Sequence, residues 1–423
     1  PAPGRAALGR TAALGLTFML VFTAYCTIQI YAGKLFKGTA GADQLTSLYA
    51  AFTVACFVAP SVTNKIGYRV TMLLGILGYA ALVASGLATF TAKGKAASSL
   101  AALGLGCAVL NGVGAALLWT AQGKLIMAYT DDSNRGFLFG VFWSIFQTSA
   151  VVGGLVAYFC FSSDAGNATL YVVFLCLVLL GALLSQFLHF PKEVKAEGGG
   201  DSWRAELGGT LRMFTARRMA MLSVICWYTG YSQAYQLSVF TRFFDKAGTG
   251  LESCVYYSGN ILAALAVGRV LDWQHLGSKR RRALVAISMS AATAVPAFAL
   301  TYGFEQPYVH TVVWDAAAEK YVDGAVGRPI FDPANALPTL AFFLWGCGNS
   351  VIQCYFMWLI GSVYDGKRLA RATGFFKFVQ SAGYSLGFAL TPMNRCSPMR
   401  QLLGNYVCFM LGTLLSLFEL PGE

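Results

Sequence analysis

The residues of this sequence that could do chemistry are suited to hydrogen bonding and stacking, not to attack or proton transfer. Tyr25, Thr27 and Gln29 lie in one uncharged stretch, and Asn111, Trp119, Thr120 and Gln122 in another. Trp227, Tyr228, Tyr231, Gln233, Tyr235 and Gln236 crowd a third, and Trp345, Asn349, Gln353 and Trp358 a fourth. Neutral amides and hydroxyls beside aromatic faces can orient a polar solute and cover its apolar parts. The same groups can also tie neighbouring helices together. No nucleophile stands with a base, and no glycine-rich phosphate loop appears, so the expectation is a binding protein with no cofactor and no enzymatic activity. His189, His275 and His310 are scattered and the cysteines have no metal-type spacing, which predicts no metal site. Nucleic acid is not an expected partner, because no basic module interleaved with aromatics is present.

The elements that must position these residues follow from the charge pattern. Of 423 residues, 56% are hydrophobic and 12% charged, against roughly 25% charged in soluble domains. Charge-free runs cover 11–33, 44–64, 70–92, 96–123, 136–163, 165–191, 219–241, 253–268, 283–304, 333–364, 378–394 and 401–417. Most are long enough to cross hydrocarbon as helices, which takes about 20 residues, and the shorter ones must borrow flanking positions. They are too long and too evenly apolar for barrel strands. The prediction is an all-α polytopic membrane protein with 12 transmembrane helices. With the N-terminus inside, Lys and Arg fall about two to one on the inner side while acids divide evenly, so both termini are expected to be cytoplasmic. The cluster "SKRRR" (278–282) is then an orientation signal that could also attract anionic lipid. No Asp or Glu falls deep within a predicted span, which disfavours proton symport through a buried acid.

One basic residue does fall within a span. Lys377 lies in "GFFKFVQSAGYSLGFAL" (374–390), a short distance beyond Arg371. Two readings stand: a stem that snorkels to the headgroups, or an inward role that gates a cavity together with an acid such as Asp365. Nine of the eleven cysteines fall in or near spans and act as small packing residues, while Cys254 and Cys396 lie near outer loops and could pair. Asn167-Ala-Thr169 is a glycosylation sequon in a loop assigned to the outer side. The chain begins "PAPGRAALGR" without a methionine, so the lack of a visible targeting segment carries no weight.

The stretch "PKEVKAEGGGDSWRAELGGTLRMF" divides the chain, giving a half at 1–190, a cytoplasmic linker at 191–216 and a second half at 217–423. "TAYCTIQ" pairs with "TGYSQAYQ", and "FQTSAVVGG" with "VQSAGYSLG", which sets Gln147 opposite Gln380. The loop after span two, "PSVTNKIGYRVTMLLG", matches the loop after span eight, "GRVLDWQHLGSKRRRALVAIS". Such matches in a six-plus-six layout point to related halves. The second loop, with Gly268, Arg269, Asp272, Gly277, Lys279 and Arg280, resembles the signature loop of the major facilitator superfamily. Asp272 at its helix end could pair with a nearby arginine and hold spans together in one state. The first copy has Asn64 where the acid is usual, so its lock should be weaker.

"GVGAALLWTAQGKLIMAYTDDSNRGFLFGVFWSIF" (112–146) resembles the hallmark region of the Unc-93-like (uncoordinated) family of that superfamily. "FTAYCTIQ" (22–29), "SLYAAFTVACFVAPSVTNKIGYR" (47–69) and "ARATGFFKFVQSAGYSLGFAL" (370–390) extend the likeness, closest in flavour to fungal and algal members. Gly153-Gly154 departs from the Gly-Asn often found after the polar patch of span five. The resemblance implies a major-facilitator-type fold whose spans 1, 4, 7 and 10 line a central cavity. Tyr25, Gln29, Asn111, Trp119, Thr120, Gln122, Tyr231, Gln233, Gln236, Asn349 and Gln353 would then be its lining. Asp272, Arg269, Arg280, Asp365 and Lys377 would be gating residues. Gly112 and Gly114, with Gly346 and Gly348, would allow close helix approach at matching depths. Two functions are carried forward. One is alternating-access movement of a small polar or amphipathic solute. The other is a transporter fold that no longer transports and regulates another membrane protein. Lipid is the common partner of both.

Overall fold

The computed structural model describes residues 4–36, 38–92, 96–130, 135–163, 166–190, 203–308, 313–315, 320–322, 327–329, 331–364 and 366–421. The charge-free runs become helices: α1 (Arg5–Leu35), α2 (Ala40–Ala55), α3 (Ala59–Ile66), α4 (Tyr68–Thr91), α5 (Ala96–Tyr129), α6 (Arg135–Ser162) and α7 (Gly166–Ser185). Pro60 in the first turn of α3 marks the break in the predicted second span, since proline suits a helix start and not its interior. The linker ends in a short helix, α8 (Trp203–Thr215). Then come α9 (Arg217–Ala234), a π turn at Tyr235–Val239 and a 3-10 turn at Phe240–Phe243, α10 (Lys246–Asp272) and α11 (Lys279–Glu305). A two-stranded antiparallel hairpin, β1 (Val313–Asp315) with β2 (Lys320–Val322), precedes α12 (Ala336–Val363), α13 (Gly366–Leu390) and α14 (Pro398–Leu417).

Eight of these helices are each long and apolar enough to cross a bilayer: α1, α4, α5, α6, α7, α10, α11 and α12. The other expected spans are the broken α2–α3 path, the α9 path with its two irregular turns, and α13 and α14.

Helix pairing follows one pattern twice. α1 packs on α6 and α7, α5 on α2 and α4, and α4 on α7. Further along, α9 packs on α13 and α14, α12 on α10 and α11, and α11 on α14. Replacing α1, α2, α4, α5, α6 and α7 by α9, α10, α11, α12, α13 and α14 turns the first set into the second. The two large contacts between the sets, α6 with α10 and α2 with α13, exchange under the same replacement. Glycines carry this repeat at atomic scale. A Cβ at Gly112 would stand 2.1 Å from the Leu48 carbonyl oxygen of α2, and one at Gly346 would stand 2.0 Å from that of Tyr256 on α10. Gly114 lies against Gly75 of α4, as Gly348 lies beside Thr293 of α11.

Candidate functional site

Two polar centres lie among the buried helices. In the first, Gln29 Nε2 and the Tyr25 hydroxyl both donate to the Tyr49 hydroxyl, at 3.0 and 2.8 Å. The Tyr49 ring stacks on Tyr384 of α13, with centroids 4.3 Å apart. In the second, the side-chain oxygen of Asn260 on α10 accepts from Gln147 Nε2 at 3.3 Å, Asn349 Nδ2 at 3.0 Å and Ser350 Oγ at 2.9 Å. One turn away the Tyr256 hydroxyl donates to Gln236 Oε1 at 2.8 Å, and Gln233 lies beside the same hydroxyl. Asn260 thus joins α6, α10 and α12 in an interior where an unmatched amide is costly.

Several expected lining residues are placed otherwise. Asn111 is fully buried at the α4–α5 contact, where Gly78 packs on its Cα, and neither of its amide atoms has a partner. Tyr231 does not face the polar centres: its hydroxyl lies by Gly404 of α14 and its ring stacks loosely on Trp227. Gln122 is buried with its Nε2 unpartnered, and Gln353 is buried on α12. Thr120 is half-buried, as is Trp119, whose ring packs on Phe18, Phe22 and Phe146.

Lys377 settles differently from its snorkelling reading. Because the basic stretch from Gly366 is itself helical, Lys377 sits near the middle of α13 and not at its start. Its neighbour Gln380 packs on Gly230, midway along the 217–243 path, so the lysine is only about 4.5 Å from that level. The ammonium lies 5.1 Å from the ring centres of both Trp119 and Phe376 and donates to Gln380 Oε1 at 3.0 Å. The amine points inward, across the seam to α5.

The arginine in electrostatic reach of Asp272 is Arg282. Asp272 is exposed at the end of α10, and among the described residues neither Arg269 nor Arg280 makes an ion pair with it. Arg280 stands exposed on the first turn of α11. Arg282 does the tying: its Nη1 donates to the Leu271 carbonyl at 2.6 Å and its guanidinium lies 5.7 Å from the Trp358 ring centre on α12. We therefore expect Arg282→Gln to cost about 1–3 kcal/mol in detergent unfolding, and Asp272→Asn less than about 0.5 kcal/mol. Asp365 lies outside the described residues, as does the side chain of Asn64.

The sequence also hid two acids. Glu252 and Glu305 flank the charge-free runs but are buried inside α10 and at the end of α11. Thr339 Oγ1 donates to Glu252 Oε1 at 2.5 Å, while Oε2 has no partner. Glu305 receives the Arg242 guanidinium and, at 2.6 Å, the Tyr235 hydroxyl.

Polar contacts between the two helix sets run from mid-depth to the end away from α8. Lys34 Nζ donates to the Asp245 carbonyl at 3.3 Å and Thr249 Oγ1 at 2.7 Å, and the Tyr31 hydroxyl to the Lys246 carbonyl at 2.7 Å. Arg395 pairs with Asp43 at 2.9 Å, and Ser385 Oγ donates to the Thr46 carbonyl at 3.0 Å. The sequon residue Asn167 accepts there from Lys246 Nζ at 2.8 Å. A Cβ at Gly154 would stand 2.2 Å from Ser253 Oγ, so this close α6–α10 approach leaves no room for the asparagine often seen there. Cys254 is buried in the same contact and, like Cys396, is a free thiol. Toward α8 the described cross-contacts include Phe57 with Phe378 and Phe214 and Lys377 with Trp119 and the Cys56 thiol, and one turn from Lys377 Thr53 Oγ1 donates to Ser381 Oγ at 2.9 Å.

The helix order and pairing define a major-facilitator-type membrane protein. The Escherichia coli fucose:proton symporter FucP superposes over 99% of both chains with a TM-score of 0.62 at 14% identity. The nucleoside transporter NupG superposes over 98% of both chains with a TM-score of 0.65 at 13% identity. Within that fold the chain belongs to the family described as "Ion channel regulatory protein UNC-93", whose pattern it matches over residues 34–253. It is 27% identical to UNC93-like protein 1 of Arabidopsis thaliana over 87% of this chain and 80% of that one. An UNC93-like protein of Schizosaccharomyces pombe shares 27% over 83% and 70%. UNC93-like protein MFSD11 of Xenopus tropicalis shares 26% over 89% and 88%.

Proposed function

We propose that this chain is a transporter-like protein with twelve spans in two six-span halves, 1–190 and 217–423, joined by a cytoplasmic linker at 191–216. It moves a small polar or amphipathic solute by alternating access, with both termini on the cytoplasmic side. The observation that carries this reading is the one-sided distribution of polar contacts between the helix sets. They gather at the end away from the linker, while toward the linker the seam contacts among the described residues are mostly aromatic, with Lys377 and, near mid-depth, the Thr53–Ser381 bond. This supports a state closed outward and separable inward. The Gln236–Tyr256 and Asn260–Asn349 contacts would form the floor of the cavity.

A second reading rests on the family's description as ion channel regulatory: the chain no longer transports and binds another membrane protein through its lipid-facing helices. A thermal-shift screen of the purified protein against metabolites and ions separates the two. The transport reading expects a stabilising solute whose effect is lost in Gln236→Leu. A library without any hit, or a shift that survives both Gln236→Leu and Gln122→Leu, would sink the cavity assignment.

A further inference from the structure

We infer that Lys377 is the anchor of a binding site for an organic anion, a carboxylate carrying an aromatic or other flat apolar body. This names the solute class for the transport reading above and rests on it.

Three observations converge on the ammonium. First, it is a charge in the interior of a membrane span with no carboxylate in reach among the described residues. A cation there requires compensation, and the described residues supply only part of it. Second, its described surroundings are a neutral amide, two aromatic rings and the Cys56 thiol, with no carboxylate among them. Gln380 Nε2 donates to Thr229 Oγ1 at 3.0 Å, which turns Oε1 toward the lysine. An ammonium has three protons to donate, and this amide takes one. Trp119 and Phe376 offer ring faces, which attract a cation but accept no full hydrogen bond. Third, the amine sits on the seam between the helix sets. Lys377 belongs to α13 and Trp119 to α5, and one turn along α13 Thr53 Oγ1 of α2 donates to Ser381 Oγ at 2.9 Å across the same seam. Both side chains are half-buried.

An anion meeting this amine completes the charge and the remaining hydrogen bonds together. Phe57 and Phe378, with ring centres 4.7 Å apart, stand on the same part of the seam. These rings would cover a flat apolar body while the carboxylate meets Nζ. A purely structural lysine would point its amine toward the helix end and the headgroups. Here it is turned across to the other helix set.

The test uses three probes with one ring and different charge: benzoate, benzamide and benzylamine. They are titrated against the full chain in neutral detergent, reading the thermal midpoint and tryptophan fluorescence. Benzoate alone is expected to raise the midpoint and change the fluorescence, with an affinity that falls as salt rises. Lys377→Met should weaken benzoate at least tenfold, while Lys377→Arg keeps most of the effect. Equal shifts by benzamide and benzoate overturn the inference without recourse to any variant, and so does a benzoate effect that survives in Lys377→Met. A neutral solute that protects in a Gln236-dependent manner while benzoate does nothing defeats the anion site and leaves the transport reading standing. No shift with any compound defeats both. Nanodiscs with and without phosphatidylglycerol separate the source: Lys377-dependent stabilisation by the anionic lipid alone would make the ligand a headgroup and overturn the solute assignment.

Discussion

Replacing Arg242 by Met is expected to destabilise the fold by about 3–5 kcal/mol, among the largest effects any single substitution in this chain should show. Glu305 is 2% exposed and its carboxylate is met by the Arg242 guanidinium and the Tyr235 hydroxyl. Removing the arginine leaves a buried charge facing one hydroxyl. The paired replacement Arg242→Met with Glu305→Met is expected to recover most of the loss, because an apolar pair of similar volume avoids the desolvation that the ion pair only offsets. Unfolding midpoints of the three proteins in one detergent decide it. A double variant less stable than the single one would show that the pair holds the 3-10 turn at Phe240–Phe243 by more than charge compensation.

Gly230→Val should come close in size and act through shape alone. A Cβ at Gly230 would stand 1.9 Å from the Gln380 carbonyl oxygen and 2.8 Å from the Tyr384 nitrogen, both backbone atoms of α13. Backbone cannot swing aside, so α9 and α13 must part. The expected cost is at or above the top of the about 1–3 kcal/mol range for overpacking. Gly374→Ala on the same α13 is the control, since nothing lies within 4 Å of the added carbon. That exchange should be neutral or stabilise by up to about 1 kcal/mol through helix propensity. Equal losses at both glycines would mean that helix contact is not what Gly230 provides.

Much of the architecture was legible because a bilayer imposes one rule on every span: charges must stay at the ends. The runs 70–92, 136–163 and 333–364 match α4, α6 and α12 closely for that reason. The rule misleads where a helix continues past its charge. α13 begins at Gly366, in a basic stretch, so Lys377 lies deeper than its distance from Arg371 suggests. α10 begins at Lys246, so Glu252 is buried even though the apolar run starts at 253. The site was less legible. Glu252, Tyr256 and Asn260 recur every four residues on one face of α10, a visible polar stripe on a span that the cavity argument did not consider. Tyr231 and Asn111 have suitable chemistry, but their helix faces turn toward α14 and α4, and only the packing reveals which way a residue faces. Around Asp272, residue types near a turn do not show which of several arginines turns inward, and it is Arg282 that reaches the Leu271 carbonyl.

The closure at the end away from α8 has an energetic consequence. Its acceptors for Lys34 and Tyr31 are mostly main-chain carbonyls, and its ion pair, Asp43 with Arg395, is about 40% exposed on each side. Parting these groups exchanges each bond for one to water, at about 0.5–1.5 kcal/mol apiece. The exposed pair adds at most about 1 kcal/mol. With the bonds from the Lys34 and Lys246 ammoniums counted at about 1.5–3 kcal/mol each, these polar contacts come to roughly 5–13 kcal/mol, at or above the roughly 5.5 kcal/mol that carries a two-state balance from 1:99 to 99:1. Under the transport reading, a solute must therefore offset a sum of that size through its own differential contacts before the end away from α8 can part.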